Sequence, residues 1–473
     1  MSTGEAASAP AYGPGHSPAH SPARSPDEPL DKKVITAWSL WNWGNATVSA
    51  VMVTFVFGTY LASDAFGPDD RGTQWLTTGN AIAGVIVALT APVIGQRADR
   101  AGRRRRWLTV NTFIVVGLVA ACFFVRPEPG FLLLGVTLMA SMTLFNEFAE
   151  LNYNAMITDI ADHGRMGRVS GIGWGAGYMG GIVILALVYF GLVAGDPPHW
   201  FGLGEDEAIN IRMVAVVAAA WFLIWALPLL LMRPATADAA RAEREAPERL
   251  SIAASYRRLF RIIVGLWKED RNTFWFLVSS AVYRDGLSAV FTYGAILGVG
   301  VYGFSPGDIL LFGIAGNVVA ALGAFAGGWF DDRTGPRRVI MFSVISLVAV
   351  ATVLYFLDVE REVLGMTLTP VMSFWIFGLA LCLFVGPAQA SSRAFLGRLA
   401  PPDRAGELFG LYATAGRSVS FLTPALISLV LWVFGGQKAI IIGVVAILAA
   451  GMLLLLLVHN PTGPARMREK SLR

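Results

Sequence analysis

A charged turn occurs twice in this chain, each time between two long apolar stretches. The first copy reads GQRADRAG at 95–102 and is followed by four arginines. The second reads GWFDDRTG at 328–335 and is followed by one proline and two arginines. Both fit the pattern G-x-x-x-D-R-x-G with arginines behind it. Its recurrence in matching places predicts that a membrane domain was duplicated, which is typical of transporters.

The apolar stretches are long enough to cross a bilayer, since a span needs about 20 apolar residues. Only 15% of the 473 residues are charged, whereas a soluble protein has about 25%. The sequence therefore predicts an all-α membrane protein with twelve transmembrane helices in two pseudo-symmetric six-helix lobes. The predicted spans are 35–63, 73–96, 107–126, 131–157, 167–194, 211–232, 273–301, 307–330, 338–357, 369–392, 407–434 and 438–458.

The predicted organisation has five parts. They are a disordered Pro/Ser-rich tail at 1–33, an N-terminal lobe at 34–232, a linker at 233–272, a C-terminal lobe at 273–458 and a basic tail at 459–473. Within the linker, residues 252–268 have an apolar face flanked by basic residues. Such a helix either lies on the anionic inner leaflet or docks against the cytoplasmic side of the protein itself.

The basic residues predict the orientation. With both termini in the cytoplasm, 30 of the 37 lysines and arginines lie inside, five lie outside and two lie within spans. This asymmetry is the positive-inside pattern, so the positive net charge indicates orientation and not nucleic-acid binding. The bias toward arginine over lysine is typical of a GC-rich bacterial genome and favours a bacterial plasma membrane. Two cysteines, both inside predicted spans, give neither a disulfide nor a zinc site.

The fourth span has a polar stripe on one face. At helical spacing, Asn146, Glu147, Glu150 and Asn154 fall on the same side. Carboxylates inside a membrane are energetically unfavourable, and Glu147 lies about 24 Å along the span, in its cytoplasmic half. The stripe is interpreted as the face of a water-filled cavity or gate. The alternative is a structural salt bridge near the cytoplasmic end, from a glutamate to Arg393 or Arg165.

Charges also lie near the middle of two other spans. Tyr283, Arg284 and Asp285 are in the seventh span, and Arg417 is in the eleventh. Charges at this depth need a partner or a substrate, so they are candidate site residues. The alternative is one buried ion pair between Asp285 and Arg417. Asp285 with Arg284 or Arg417 would suit a zwitterionic ligand, because each ligand charge would meet an opposite one.

Two further spans contribute polar residues. Asn42 and Asn45 share one face of the first span and bind either a substrate or another helix. Gln389 and Arg393 lie near the inner end of the tenth span and are interpreted as a cytoplasmic gate. The G-x-G-x-x-G match at 175–180 lies inside a span, so it is not a nucleotide site. Its glycines belong instead to ladders that let helices approach closely.

The spans and the two turns resemble the major facilitator superfamily and its signature between spans two and three. In that family the Asp and Arg of the turn lock the cytoplasmic side, and the resemblance carries this role onto Asp99, Arg100, Asp332 and Arg333. The alternative is a basic turn that only sets topology. The full set of gating candidates also includes the glycines of the two turns: Gly95, Gly102, Gly328 and Gly335.

Several stretches resemble one branch more closely, the vacuolar-effluxer-like transporters related to autophagy-related amino-acid exporters. They are 38–45, 153–160, 167–181, 283–286 and 386–421. One departure concerns coupling, because the branch typically has Tyr-Asp-Trp in the first span where this chain has Trp-Asn-Trp at 41–43. A coupling proton would then need Glu147, Glu150 or Asp285, or transport would be uncoupled.

These observations predict a secondary transporter that works by alternating access on a small organic solute. The resemblance implies amino-acid-type efflux, without a cofactor and as a monomer in the lipid bilayer. Two alternatives remain open, a proton-coupled exporter of amphiphilic drugs and a transport-silent membrane sensor. An enzyme is not expected, because the chain has no H-E-x-x-H motif and no nucleophile elbow.

Overall fold

Long helices make up nearly the whole described chain. The computed structural model describes residues 30–67, 71–100, 104–232, 252–363, 366–401 and 404–460. Most of the predicted N-terminal tail, the first half of the predicted linker and most of the predicted C-terminal tail lie outside these residues. The expected all-α membrane fold is confirmed.

The helices that correspond to the predicted spans are labelled α1–α12. In chain order they are α1 Lys32–Thr47, α2 Arg71–Arg100, α3 Arg104–Ala121, α4 Leu132–Ala155, α5 Met166–Val188, α6 Ile209–Leu231, α7 Arg271–Gly300, α8 Pro306–Thr334, α9 Pro336–Tyr355, α10 Pro370–Leu399, α11 Ala405–Val419 with its continuation Leu422–Phe434, and α12 Ile440–Leu455. α1 continues through a π-helical segment, Val48–Phe55, and a short helix, Phe57–Leu61.

Eleven helical stretches of the described chain are long and apolar enough to cross a membrane. The remaining predicted span, 273–301, forms α7, a 30-residue helix that is not among the eleven. Arg284 and Asp285 lie in its middle and lower its apolar character. Twelve spans in two lobes are consistent with this arrangement and remain a prediction.

Local sequence signals set the helix ends. Ser305 and Asp308 form a capping box at the start of α8, with the Asp308 carboxylate accepting from the Ser305 backbone N–H at 2.9 Å. The Thr369 hydroxyl caps α10 by accepting from the Met372 backbone N–H at 3.2 Å. Proline occupies the first helical position of α8, α9 and α10. Gly335, with φ 88°, makes the turn from α8 to α9. A short antiparallel hairpin, Arg361–Val363 with Met366–Leu368, precedes α10 and was not predicted.

The two halves of the chain, 30–232 and 252–460, meet along glycine-rich helices. α5 packs along α8, and α2 packs along α11. A Cβ atom on Gly171 would lie 3.1 Å from the Cα of Gly328, and one on Gly410 would lie 2.6 Å from the Cα of Pro92. Because side chains would separate these backbones, the glycines permit the close contact between the halves.

The linker helix, Ile252–Glu269, docks on the protein. Its Tyr256 hydroxyl donates to the Leu89 carbonyl of α2 at 2.9 Å, and its Trp267 ring contacts Phe274 and Trp275 of α7. Phe260 remains 69% exposed on the same helix. The described part of this helix therefore contacts its own chain and also keeps an exposed apolar surface.

Candidate functional site

A cavity of about 330 Å³ lies between the two halves. The N-terminal half contributes α1, α4 and α5 to its wall, and the C-terminal half contributes α8 and α10. Four residues proposed from the sequence as cavity residues line it: Asn42, Asn45, Glu150 and Asn154. The other polar and aromatic residues in its wall are Ser49, Phe55, Tyr153, Trp174, Tyr178, Asn317 and Arg393.

Two amides hold the Glu150 carboxylate in this wall. Asn45 of α1 donates to Glu150 Oε1 at 2.9 Å, and Asn146 of α4 donates to the same oxygen at 3.0 Å. Asn42 uses its amide to donate to the Gly173 carbonyl of α5 at 2.7 Å. The polar face of α1 thus both lines the cavity and binds neighbouring helices, which were the two alternatives for Asn42 and Asn45.

Arg393 of α10 crosses into the N-terminal half at this cavity. Its guanidinium donates to the Ser170 hydroxyl at 2.9 Å, to the Ser170 carbonyl at 2.6 Å and to Asn154 Oδ1 at 3.1 Å. The residue is 4% exposed. Since Asn154 is on α4 and Ser170 is on α5, Arg393 ties the C-terminal half to two helices of the other half.

A second cavity of about 400 Å³ adjoins the first. Residues Ser49, Phe55, Tyr178, Gly313 and Asn317 line both. The wall of the second cavity is mostly apolar and aromatic, and it includes Val290, Phe312, Phe374, Leu381 and Val444. The two cavities together offer a polar compartment next to an apolar one.

The charged residues of α7 are engaged by the protein. Asp285 accepts from the Thr423 backbone N–H at 3.0 Å and from its hydroxyl at 2.7 Å, at the start of the second segment of α11. The Arg284 guanidinium lies 3.9 Å from the centre of the Tyr412 ring. Its Nε and one Nη atom are buried without a hydrogen-bond partner. The Tyr283 hydroxyl is 2.6 Å from Ser392 Oγ.

The alternative ion pair between Asp285 and Arg417 is not formed. Arg417 of α11 pairs instead with Glu147 of α4, across the two halves. Depth along a helix had suggested Asp285, but Arg417 is on the side of α11 that faces α4. Gln389 is half-buried on α10 and lines neither of the two cavities described.

The first charged turn binds the N-terminus of α11. Asp99 accepts from the backbone N–H groups of Gly406 at 3.0 Å and Glu407 at 2.8 Å. Arg104 Nε donates to Asp99 at 2.5 Å, and Gln96 donates to the Glu407 carboxylate at 2.9 Å. A carboxylate at a helix N-terminus is stabilised by the unpaired N–H groups and the helix dipole. This contact joins the two halves.

The second turn makes the equivalent contact in the opposite direction. Asp332 accepts from the backbone N–H groups of Gly167 at 2.8 Å and Arg168 at 3.1 Å, at the N-terminus of α5. Arg398, near the end of α10, donates to Asp332 at 3.1 Å and also pairs with the buried Asp331. Each half therefore caps one helix of the other half.

The remaining gating candidates have different positions. Gly95 and Gly328 contact the backbones of Gly406 and Gly167, where a Cβ would not fit. Arg333 is exposed, and its guanidinium lies 3.2 Å from the centre of the Trp329 ring. Gly102 and the side chain of Arg100 lie outside the described residues.

Sequence reasoning missed the arginines that complete these contacts. Arg104 is one of the arginines that follow the first turn, and Arg398 lies near the end of α10. Each binds a turn carboxylate. The sequence does contain a signal, because Gly167 and Gly406 occupy matching positions in a second pair of repeated stretches, 239 residues apart. Both prove to be the cap donors. The side of the molecule that has these two turns, called the turn side below, is closed between the halves.

Comparison with known proteins identifies the family. The protein-family model described as "Vacuole effluxer Atg22 like" matches residues 152–467, two thirds of the chain. The chain belongs to this family. The Major Facilitator Superfamily model also matches, over residues 9–185. The Atg22-like resemblance found in the sequence is confirmed.

Relatives and solved structures agree with this assignment. The MFS-type transporter YxiO of Bacillus subtilis is 24% identical over 443 residues, which cover 90% of this chain and 95% of the relative. Autophagy-related protein 22-1 of Aspergillus fumigatus is 20% identical over 308 residues, 63% of this chain, and the match spans about half (48%) of that protein. The MFS transporter FucP in its outward conformation superposes with a TM-score of 0.63 at 16% identity, covering 90% of this chain and 97% of FucP.

This Atg22-like protein is a multi-pass membrane protein and a secondary transporter. Its relatives and its structural neighbours are transporters and not enzymes. The expectation of a transporter is thus confirmed at the level of the superfamily. The cavity between the halves lies where such transporters bind their substrates.

Proposed function

We propose that this protein exports a small zwitterionic solute of amino-acid type from the cytoplasm by alternating access. The supporting observation is that one cavity between the halves has both Glu150 and Arg393 in its wall. A ligand with both charges meets an acidic and a basic side chain there. Asn42, Asn45 and Asn154 add amide groups for orientation, as expected of a small-molecule pocket.

Two of the charges first considered for this role are engaged elsewhere. Arg417 is paired with Glu147, and Asp285 caps the second segment of α11. Arg284 has buried nitrogens without a partner and lies beside the cavity helices, so it adds positive potential near Glu150. We therefore place the acidic part of the site at Glu150 and not at Asp285.

The closed turn side supports an alternating-access cycle. If the positive-inside pattern gives the orientation, the turn side is cytoplasmic, and the present state faces outward. Opening requires that the two helix caps at Asp99 and Asp332 separate together. We propose that the protein works in this way as a monomer in the cell membrane, with both termini in the cytoplasm.

Glu150 is also our candidate for a coupling proton. It is the carboxylate in the wall of the first cavity, among the described residues. The chain has Asn42 where the branch typically has an aspartate. Protonation of Glu150 would remove the charge that attracts the ligand's ammonium group. Release of substrate and uptake of a proton would then be linked at one side chain.

Counterflow in proteoliposomes tests the proposal. Vesicles loaded with an unlabelled amino-acid mixture should accumulate labelled amino acids of one class when they contain the wild-type protein. Glu150→Gln should reduce this exchange at least about tenfold, equivalent to about 1.4 kcal/mol of lost binding. The control is Glu128→Gln, which changes an exposed carboxylate in the loop between α3 and α4.

Two results would contradict the proposal. One is the absence of exchange for every amino-acid class in vesicles whose protein is folded. The other is equal exchange by wild type and Glu150→Gln. A pH gradient applied to the same vesicles tests coupling, because an inward gradient should drive net export in wild type and not in Glu150→Gln.

The apolar second cavity favours one other candidate, export of amphiphilic compounds. Phe312, Phe374 and Leu381 would bind the apolar part of such a molecule, next to the polar cavity. Lipophilic cations that compete fully with labelled substrate, while amino acids do not, would favour this function over amino-acid-type export.

A further inference from the structure

The guanidinium of Arg393 lies in an aromatic cage that the other half of the protein builds. Its Cζ atom is 4.6 Å from the centre of the Trp38 ring, 5.7 Å from that of Tyr153 and 5.6 Å from that of Trp174. These three residues, called the cage below, come from α1, α4 and α5. Aromatic faces attract cations at such distances, most strongly where water is excluded.

The cage is held by contacts that do not involve Arg393. Trp38 stacks on Tyr153 at 4.5 Å between ring centres, and its indole N–H donates to the Tyr153 carbonyl at 3.0 Å. Trp41 stacks on the same tyrosine at 4.5 Å and donates to Thr112 at 3.1 Å. Trp38, Trp41 and Tyr153 are at most 1% exposed. Trp38 and Tyr153 are therefore fixed within the N-terminal half, and Trp174 contacts Tyr178 of its own helix at 5.8 Å between ring centres.

Arg393 is bound there without an ion pair. Its hydrogen bonds go to the Ser170 hydroxyl, the Ser170 carbonyl and the Asn154 amide oxygen. Among the described residues, no carboxylate lies within ion-pair distance of it. The other buried arginine of α10, Arg398, pairs with Asp331 and Asp332 instead. The Trp38 and Trp174 rings, the edge of Tyr153 and neutral oxygens thus surround the Arg393 cation.

The cage also borders the substrate cavity. Tyr153, Trp174 and Asn154 line the 330 Å³ cavity, together with Glu150. Arg393 belongs to the half that must move away when the turn side opens. Withdrawal of α10 would leave a preorganised cation site empty, facing the side from which an exported substrate enters.

We propose that Trp38, Tyr153 and Trp174 form a binding site for the cationic group of the substrate, an organic ammonium or guanidinium, which Arg393 occupies while the turn side is closed. This proposal rests on the proposed function, since it assigns the substrate class of the same cavity. Arg393 and the substrate cation occupy the cage in turn. Solutes that carry no cation do not displace Arg393.

Thermal unfolding of the purified full-length protein tests the site without a transport assay. Arg393→Ala empties the cage, and the probes are tetramethylammonium, ethylguanidinium and the neutral ethylurea. Both cations should raise the melting temperature of Arg393→Ala, with an apparent affinity at least about tenfold higher than for wild type. Ethylurea should have no effect on either protein.

Arg398→Ala is the matched control, because it removes a buried arginine from the same helix. That arginine binds carboxylates, so ethylguanidinium can replace it, but tetramethylammonium cannot donate the hydrogen bonds that the carboxylates accept. Tetramethylammonium should therefore stabilise Arg393→Ala and not Arg398→Ala. Equal stabilisation of the two variants, or of neither, would overturn the proposal. Arg393→Gln, which keeps a donor for Ser170, replaces Arg393→Ala if the alanine variant does not fold.

A second variant removes one wall of the cage and leaves Arg393 in place. Trp174→Leu should weaken inhibition of counterflow by tetramethylammonium about tenfold, since one cation–π contact is lost. Unchanged inhibition would contradict the cage. A failure of amino-acid exchange in wild type, combined with cation-specific stabilisation of Arg393→Ala, would refute the proposed function and leave the cation site standing.

Discussion

Neutralising Asp332 should open the turn side. Asp332 accepts two backbone N–H groups at the N-terminus of α5 and one hydrogen bond from Arg398. Asparagine at this position is nearly isosteric and can still accept through one oxygen. The substitution Asp332→Asn thus removes mainly the charge, and the buried Asp331 still pairs with Arg398.

The expected magnitude follows from these contacts. A hydrogen bond to a charged group contributes about 1.5–3 kcal/mol and a neutral one about 0.5–1.5 kcal/mol, so two bonds lose about 2 kcal/mol together. The interaction of the carboxylate with the helix dipole adds about 0.3–1 kcal/mol. Partial burial raises the pKa of Asp332 to about 6 and so offsets part of this loss. We therefore expect a net cost of about 1–2 kcal/mol, which lowers the ratio of closed to open molecules about 5- to 30-fold.

Pulsed electron–electron double resonance measures the distance between two spin labels, and the populations of the distances give this ratio. Arg97→Cys on α2 and Thr334→Cys on α8 provide label sites that are exposed and near the two turns. The buried native Cys122 and Cys382 are replaced by serine in this background. Wild type should give one short distance, and Asp332→Asn should add a longer one to the distribution.

The control is Asp308→Asn at the other end of α8. Asp308 also caps a helix, accepting from the Ser305 backbone N–H and from its hydroxyl at 2.6 Å. Within the described part of the chain, its hydrogen bonds do not cross between the two halves. It should leave the distance distribution unchanged. A single short distance in Asp332→Asn, or the same change in Asp308→Asn, would refute the reasoning that this cap holds the turn side closed.

Two further variants test the interface and its loop. Gly171→Val should lower stability by about 1–3 kcal/mol, because a Cβ there would meet the Ala324 carbonyl; thermal unfolding checks this against Gly117→Val, whose position on α3 has free space. Burial, with a smaller contribution from the charge of Arg398, lowers the pKa of His163 in the α4–α5 loop. The folded protein therefore favours the neutral imidazole of His163. The resulting stability is present above the unfolded pKa of about 6.5 and is lost as the pH falls below that value. Between pH 7.5 and 5.5, the melting temperature of His163→Gln should fall less than that of wild type. An identical fall in both proteins would contradict this.

Much of the fold follows from local signals in the sequence. Apolar length predicts the helices, and the repeated turn predicts the duplication. The family resemblance implies the gating role of the turn carboxylates. Asp99 and Asp332 could be named because their spacing is specific. Their partners are the backbone amides of Gly406 and Gly167, which no side-chain pattern reveals. The matching offset of these glycines was the usable signal, since it places both at the start of equivalent helices.

Tertiary packing decides the rest of the site. Depth along a helix placed Asp285 and Arg417 at a similar level, but the rotation of α11 directs Arg417 to Glu147. Arg393 appeared as a simple gate residue at the end of α10. Its aromatic surroundings come from three helices that are distant in the sequence, so spacing alone does not bring them together.

The mutual capping of α5 and α11 has the form of a contact between two identical subunits. In a twofold homodimer, a patch on one subunit binds the same patch on the other, and each contact is made twice. Asp99 with Gly406 and Asp332 with Gly167 are such a pair within one polypeptide. The contact is therefore one that an ancestral unit of half this length could have made with its own copy before the two genes fused. Later divergence is visible at the equivalent positions Asp159 and Arg398, one acidic and one basic, where each half has since acquired its own charge.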